Sequence, residues 1–439
     1  MNFNDALNRA ADLAKARLSA LQEDVFLVRD LNGRIRILLD SPEPGTRPKT
    51  VFKEALNELA RDVVAALGTY AYPKKELFLF RSDLATLALP TANSAPVLRT
   101  DGTYRVCLHD RLLMGAEWSA SPPTGAPLTK RFTLFSMKGG VGRSTTATVL
   151  SWHLARKAKA TGDGHRVLVL DLDLESPGVG TTLLGPSLPK FGIVDWFVED
   201  ALGEGAKILP DMVAESSLQD GTSGRIAVVP AFGTETKEYL AKLGRAYLER
   251  GPNGREPWPA RLQRLVAELE AQETPDVVLL DSRTGLHDTS AAAVLAMGAD
   301  TLLFAADTRQ TWAAYEFLFQ HWKDHPNVRA FRTRLWMLGS MVPRKNTQAY
   351  FEGLRDQAYT LFLESVYDRV AAGQEAPPDA VDFAAIAEEG NHFPRAILWD
   401  EGLTFFDPLQ QWQDAPVQAS YGAFLDWFDK VLLNQGGTP

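Results

Sequence analysis

Short apolar runs without alternation recur through the C-terminal two-thirds of the chain. Strands that are apolar on both faces are typical of a parallel sheet covered by helices on both sides. Helical patterns lie between most of these runs, for example over residues 145–158 and 260–272. Repeated strand–helix units predict a doubly wound α/β domain with a mostly parallel sheet. The runs are FTLFS at 132–136, VLVLD at 167–171, IAVVP at 226–230, VVLLD at 277–281, TLLFAA at 301–306 and LWMLGS at 335–340.

The first part of the chain has a different pattern of apolar and polar positions. A helical pattern over residues 5–22 precedes two strand patterns, VFLVRD and RIRILLD, which Asn32 and Gly33 join in a turn. A second helical face follows over residues 52–67. These elements predict a smaller N-terminal α+β domain over residues 1–118.

The boundary between the two predicted domains lies in a stretch that is dense in serine, proline and glycine. Residues 119–127 read SASPPTGAP, which is typical of a linker. We therefore expect the larger domain to span residues 128–439, with two inserts at about 185–224 and 345–392.

Composition narrows the range of functions. The chain carries 46 basic and 55 acidic side chains, a net charge of −9, which disfavours a general polyanion binder. Cys107 is the only cysteine, so neither an intrachain disulfide nor a cysteine zinc site is expected. The N-terminal segment lacks a signal-peptide core, and no apolar run is long enough to span a bilayer. We expect a cytoplasmic protein without a membrane span.

The segment between the first core strand and its helix is rich in glycine. Successive glycines let a backbone bend round a phosphate chain and point its N–H groups inward. The start of the helix adds further N–H donors and partial positive charge. A hydroxyl in the first helical turn, here Ser144, suits a magnesium ligand. The expected nucleotide-binding residues are Lys138, Gly139, Gly140, Val141, Gly142, Arg143, Ser144 and Thr145. The alternative is a plain turn with solvated cations.

Carboxylates end two of the predicted strands. Asp171 and Asp173 follow VLVL, and Asp281 ends VVLLD. Ligands of open α/β sheets bind at the carboxyl ends of the strands, where Asp281 is suited to hold magnesium through water. Arg283 lies two residues later. It could contact a phosphate or a second subunit, and an ion pair with Asp288 is the alternative. Aspartates at polar strand ends without a ligand are the alternative.

Together these motifs resemble those of the ParA/MinD superfamily of P-loop ATPases. Lys138–Ser144 resembles its deviant Walker A motif, KGGxGK followed by Ser or Thr. Asp171-Leu-Asp173 resembles its D-x-D motif, and the sequence from Asp281 to Gly285 resembles the DSPAG of MinD. The similarity covers residues 130–410. Segments 338–344 and 393–409 resemble, more loosely, a segment around the nucleotide base and a late family segment.

The resemblance implies a P-loop NTPase domain that uses ATP and Mg²⁺. Lys138 then reaches across a nucleotide-sandwich dimer to the partner's phosphates, and Asp173 orients the attacking water. The implied catalytic residues are Lys138, Asp173 and Arg143. The implied magnesium-holding residues are Ser144, Asp173 and Asp281.

Arg143 is a departure from the family pattern. It stands where the family has a lysine, as in a bacterial group of ParA-like ATPases with the same KGGVGR variant. Arginine keeps the charge but is larger, planar and bidentate, so the substitution is not conservative. Nucleotide binding is therefore the firmer expectation, and ATPase activity is expected to be weakened or altered.

The favoured function is an ATP-binding, slowly hydrolysing switch. It forms an ATP-dependent homodimer and signals its state to an unidentified partner protein. One alternative is a non-hydrolysing nucleotide sensor or scaffold. Another is a DNA- or membrane-positioning ATPase, which the acidic balance disfavours. The aromatic C-terminal helix carries Asp426 and Asp429, so we expect it to pack against the domain and not on a membrane.

Overall fold

The chain forms two compact units, each with its own sheet. One comprises Met1–Ser119 with a short segment that ends at Val328, and the other comprises the rest. The structure is a computed structural model that describes residues 1–39, 49–84, 95–112, 114–123, 125, 127, 129–323, 325–368, 380–404, 407–410 and 412–433.

The N-terminal unit is a mixed sheet with helices on one face. The strands are β1 (Val25–Arg29), β2 (Ile35–Leu39), β3 (Phe78–Phe80), β4 (Val97–Thr100) and β5 (Arg105–Asp110), in the order β3-β2-β1-β5-β4. The helices are α1 (Phe3–Lys15), α2 (Leu18–Leu21) and α3 (Lys49–Leu67). β1 pairs with β2 antiparallel and with β5 parallel. Ala10 of α1 and Leu59 of α3 are buried in one cluster with Leu27 of β1, so both helices cover the same face of the sheet.

The second unit contains the larger sheet, which is parallel except at one edge. Its strands are β6 (Lys130–Ser136), β7 (Arg166–Asp171), β8 (Ala214–Glu215), β9 (Arg225–Val229), β10 (Val277–Asp281), β11 (Asp300–Ala305), β12 (Leu335–Val342) and β13 (Arg395–Leu398). Their order is β13-β12-β11-β6-β10-β7-β9-β8, and only β8 runs antiparallel to its neighbour. All six predicted strands form and are parallel, which confirms the predicted doubly wound α/β fold.

Helices cover both faces of this sheet. They are α4 (Arg143–Arg156), α5 (Val179–Leu184), α6 (Ile193–Asp200), α7 (Gly205–Ile208), α8 (Tyr239–Ala246), α9 (Trp258–Glu273), α10 (Asp288–Ala291), α11 (Arg309–Lys323), α12 (Thr347–Ser365) and α13 (Asp414–Trp427). π-helical turns at Ala292–Ala296 and Phe428–Leu433 extend α10 and α13. Leu150 and Phe424 are buried in one core cluster, whereas Trp196 and Leu265 belong to a second cluster.

Some elements differ from the sequence prediction. β8 and β13, of two and four residues, were not predicted because neither contains a continuous buried apolar run. The first predicted insert, 185–224, contains α6, α7 and β8. In the second, α12 ends at Ser365, while residues 369–379 lie outside the described part of the chain, as do 124 and 126 of the predicted linker.

Candidate functional site

The Gly-rich loop follows β6 at the carboxyl end of the sheet. Gly140 and Gly142 adopt φ angles of +74° and +83°, the left-handed region that other residues enter only with strain. A Cβ added at Gly139, Gly140 or Gly142 would meet no atom within 4 Å, so this side of the loop is open. The Ser136 Oγ donates to the Lys138 carbonyl at 2.7 Å, which ties the start of the loop to the end of β6. The loop is therefore bent as a phosphate cradle requires.

Helix α4 begins directly at the end of this loop. Its N-cap residue is Gly142, which has no side chain to bond the first amides of the helix, and its first turn contains no acidic residue. The first amides of such a helix have no partner within the helix and attract anions. The exposed Lys138 lies in the same loop, and its ammonium forms no hydrogen bond or ion pair with any residue that the structure describes.

Ser144 and Asp281 are in direct contact. The Ser144 Oγ donates to Oδ2 of Asp281 at 2.6 Å, which joins the first turn of α4 to the end of β10. Asp281 is 1% exposed, and its Oδ1 has no hydrogen-bond partner. Burial raises the pKa of Asp281, and the charge of Asp173 adds to the rise, while Arg143 and Ser144 oppose it. A buried carboxylate with one unsatisfied oxygen is suited to a cation.

Asp171 lies beside Asp281, since the two residues are paired in register on β7 and β10. Its Oδ2 accepts the amides of Gly178 and Gly180, each at 3.0 Å, and its Oδ1 has no partner. Burial, with the nearby charge of Asp281, raises the pKa of Asp171 to about 7. Two neighbouring carboxylates thus each present an unsatisfied oxygen.

A magnesium ion fits this end of the sheet only with further ligands. No group of three or more His, Cys, Asp or Glu among the described residues is arranged to hold a metal ion. Magnesium usually takes one or two carboxylates together with phosphate oxygens and water. The Ser144–Asp281 pair and the open loop therefore fit a metal that arrives with a phosphate ligand.

Arg143 points into the protein. It is 8% exposed; one Nη donates to the Ser282 carbonyl, and the other lies 3.3 Å from Oδ2 of Asp173. Burial raises the pKa of Asp173, while Arg143 acts to lower it. The guanidinium is thus used by two protein acceptors, and its predicted contact with phosphate stays a prediction.

A cavity of about 280 Å³ adjoins the loop. Small-molecule sites range from about 300 to 1,000 Å³, so this cavity suits a small aromatic group such as a nucleobase. The two loosely matched segments of the sequence both contribute to its wall, and Trp399 and Met341 remain 43% and 41% exposed there. Lining residues are Gly140, Val141, Gly142, Thr145, Met341, Ile397, Leu398, Trp399, Asp400, Leu403, Thr404 and Tyr421.

Comparisons with known proteins give structural similarity only. No protein-family model matches this chain, and no curated protein sequence does. A plasmid partition protein of Borrelia burgdorferi B31 bound to AMPPNP is 18% identical over 69% of this chain and 98% of its own, with a TM-score of 0.40. A ParA family ATPase of Chlorobium tepidum TLS is 14% identical over 68% and 98%, with a TM-score of 0.42.

A third similar structure is an enzyme. Cobyrinic acid a,c-diamide synthase of Mycobacterium smegmatis with bound ADP and magnesium is 18% identical over 56% of this chain and 85% of its own, with a TM-score of 0.36.

Sequence reasoning missed one group of residues at the site. Arg283 pairs with Glu175, Nη1 to Oε1 at 2.5 Å, and Tyr247 donates its hydroxyl to the same oxygen. The Tyr239 hydroxyl donates to the carbonyl of Leu174 at 2.6 Å. No motif marks these tyrosines, which lie at the first residue and the C-cap of α8.

Two arginines of the larger unit form ion pairs within the chain. Arg332 forms a partly buried ion pair with Asp368, and Arg344 pairs with Asp400 at 2.9 Å, so the charges of these two arginines are partnered within the chain. Phe424 of α13 is buried in the core, which confirms the predicted packing of the C-terminal helix. None of the described helices is both long and apolar enough to cross a bilayer.

Proposed function

We propose that the chain binds ATP with Mg²⁺ and acts as a ParA/MinD-type molecular switch. The observation that carries the proposal is the Ser144–Asp281 hydrogen bond, 2.6 Å long, beneath a Gly-rich loop that is open on one side. A hydroxyl at the start of α4 and a buried carboxylate at the end of β10 are protein ligands of the kind that a phosphate-bound magnesium takes.

The loop residues bind the phosphates in this proposal. The backbone amides from Gly139 to Thr145 donate to phosphate oxygens, and the start of α4 adds favourable charge. Ser144 and Asp281 hold the magnesium, with Asp173 nearby. The metal, when bound, neutralises phosphate charge and fixes the orientation of the phosphates. The cavity beside the loop takes the base, against Trp399 and Met341.

Lys138 acts across a dimer in this proposal. Its side chain is exposed and its ammonium forms no hydrogen bond or ion pair with the described residues of its own chain, which suits a role toward a second copy. Two chains then face each other across two ATP molecules. A partner protein that binds the ATP and ADP forms with different affinity makes the dimer a switch.

A specific observation favours a second candidate, a nucleotide sensor that does not hydrolyse ATP. Arg143, in place of the usual lysine, is held by Asp173 and by the Ser282 carbonyl. An Asp173 that stays in this ion pair is not free to orient water. In the first candidate, binding of the triphosphate separates the pair and Asp173 positions the attacking water.

Dimerisation is tested by size-exclusion chromatography with light scattering. We expect a monomer without nucleotide and a dimer with a non-hydrolysable ATP analogue and Mg²⁺. Lys138→Ala should still bind the analogue but remain a monomer, while Lys157→Ala, at the opposite end of α4, serves as a charge-matched control. Equal dimerisation by wild type and Lys138→Ala contradicts the role in trans.

Phosphate release separates the switch from the sensor. Slow release by the wild type supports the switch, with Asp173→Asn expected to abolish it. ATP binding without release supports the sensor, and release that appears in Arg143→Lys then assigns the block to arginine.

A further inference from the structure

The loop that follows β7 is held residue by residue. Asp173 accepts from Arg143, and the next two residues accept from tyrosines. The Tyr239 hydroxyl donates to the Leu174 carbonyl at 2.6 Å, and the Tyr247 hydroxyl donates to Oε1 of Glu175. Because Leu174 and Glu175 directly follow Asp173, these two bonds fix the chain on which the Asp173 carboxylate is carried.

Both tyrosines come from helix α8 and the residue that follows it. Tyr239 is the first residue of α8, and Tyr247 is its C-cap. The helix is itself anchored, because Lys242 pairs at 2.6 Å with Asp195, which is 1% exposed on α6. The Thr236 hydroxyl donates to the other oxygen of Asp195 at 2.5 Å. The hydroxyl donors are thus carried by a surface helix that is tied to the buried Asp195.

The tyrosines are suited to remain neutral donors. Burial raises the pKa of Tyr239, and the nearby acidic charges add to the rise. Burial also raises the pKa of Tyr247, helped by its hydrogen bond to Glu175. Arg283 binds the same Glu175 oxygen from the loop after β10, so Glu175 connects α8 to both carboxylate-bearing loops.

We propose that Tyr239 and Tyr247 are positioning residues that set the place of the Asp173 carboxylate. The inference rests on the proposed ATP hydrolysis and goes beyond it, since it assigns the placement of Asp173 to α8. Neither tyrosine touches nucleotide. Displacements of about 1 Å in a reacting group slow catalysis by up to about a hundredfold, so loss of either hydroxyl should slow the hydrolytic step.

The test is single-turnover hydrolysis at saturating ATP, measured beside ATP affinity. We expect Tyr239→Phe and Tyr247→Phe to hydrolyse about tenfold more slowly than wild type. The Kd for ATP should stay within about twofold, because the phosphate-binding loop is untouched. The melting temperature should also be preserved, since phenylalanine retains the ring contacts, such as that between Tyr247 and His287. Tyr359→Phe, remote from this loop, is the matched control.

A double-variant cycle tests whether Tyr247 acts on Asp173 through Glu175. If Tyr247 acts through Glu175, then Tyr247→Phe should slow a Glu175→Ala variant no further. Additive losses overturn this route, and wild-type turnover in both tyrosine variants overturns the proposal. A parallel fall in ATP affinity and melting temperature also overturns it, as that indicates general damage.

Different results would overturn the positioning role of the tyrosines and the proposed function on which it rests. A wild-type chain that binds no ATP overturns the proposed function. One that binds ATP without any single-turnover hydrolysis overturns only the positioning role and leaves ATP binding in place.

Discussion

An aspartate lies at each end of strand β10, and the two differ in their hydrogen bonding and in the direction of their pKa shifts. Asp276 precedes the strand and accepts the Lys159 ammonium at 2.7 Å and the Arg166 amide at 2.8 Å. Burial works to raise the pKa of Asp276, but these bonds outweigh it and the pKa is lowered. Asp281 ends the strand with one oxygen unpartnered, and burial raises its pKa.

The difference separates a structural carboxylate from a functional one. Asp276 is partly exposed, accepts two hydrogen bonds at Oδ2 and stabilises the fold in its charged form. Asp281 and its neighbour Asp171 are buried without full satisfaction, which costs stability when they are charged. Buried carboxylates with raised pKa values are concentrated at functional sites, where a ligand can bond the unsatisfied oxygens. We infer that the carboxyl end of the sheet is completed by a cation and phosphates.

The largest expected effect is on Asp281. Asp281→Asn keeps an acceptor for the Ser144 hydroxyl but removes the charge that holds the metal. We expect the affinity for Mg-ATP to fall by about a hundredfold while the melting temperature stays equal or rises. Calorimetric titration measures the affinity. In the matched variant, Asp276→Asn, it should be unchanged; equal losses in both variants would remove the distinction between the two ends.

The next effect is the pH dependence that Asp171 causes. Unfolded, this aspartate loses its proton near 3.8; folded, its pKa is about 7, so the folded state binds more protons between these values. Stability therefore falls as pH rises from about 4 to 7. Asp171→Asn should remove much of this fall and stabilise the protein by about 2 kcal/mol at pH 7.5. Urea unfolding across pH measures it, and an unchanged slope would contradict the raised pKa.

The smallest expected effect is on the stability that Asp276 provides. Because the pKa of Asp276 is lowered on folding, its contribution is present above the usual value of 3.8 and is lost as pH falls through the folded value. Asp276→Asn should reduce the free energy of unfolding by about 1 kcal/mol at pH 7 and by much less near pH 3. An equal loss at both pH values would point to packing instead of charge.

The sequence predicts the large sheet well, because strands buried on both faces leave continuous apolar runs such as VVLLD. The sequence does not predict β13, because Arg395–Leu398 is short and only partly buried. Part of the site is also readable in sequence. The glycines, Ser144 and Asp281 lie within local motifs, where a strand end and a helix start fix the backbone.

The contacts that complete the site are not local. Arg143 and Asp173 are 30 residues apart, and Tyr247 lies 72 residues beyond Glu175. Sequence spacing predicts that such groups reach the same end of the sheet, but the choice of partner depends on side-chain reach and on how α8 packs. The pairing of Arg283 with Glu175 illustrates this, since the sequence offered only a ligand, a second subunit or Asp288.

The central claim is that the Gly-rich loop and the carboxylates beside it hold a magnesium-bound triphosphate. Calorimetric titration of the purified chain with ATP, with and without Mg²⁺, tests it most directly. The account predicts one ATP per chain, with heat that depends on Mg²⁺ and is largely lost in Asp281→Asn. No heat and no thermal shift with either ATP or GTP, at millimolar concentration and with Mg²⁺ present, would contradict it.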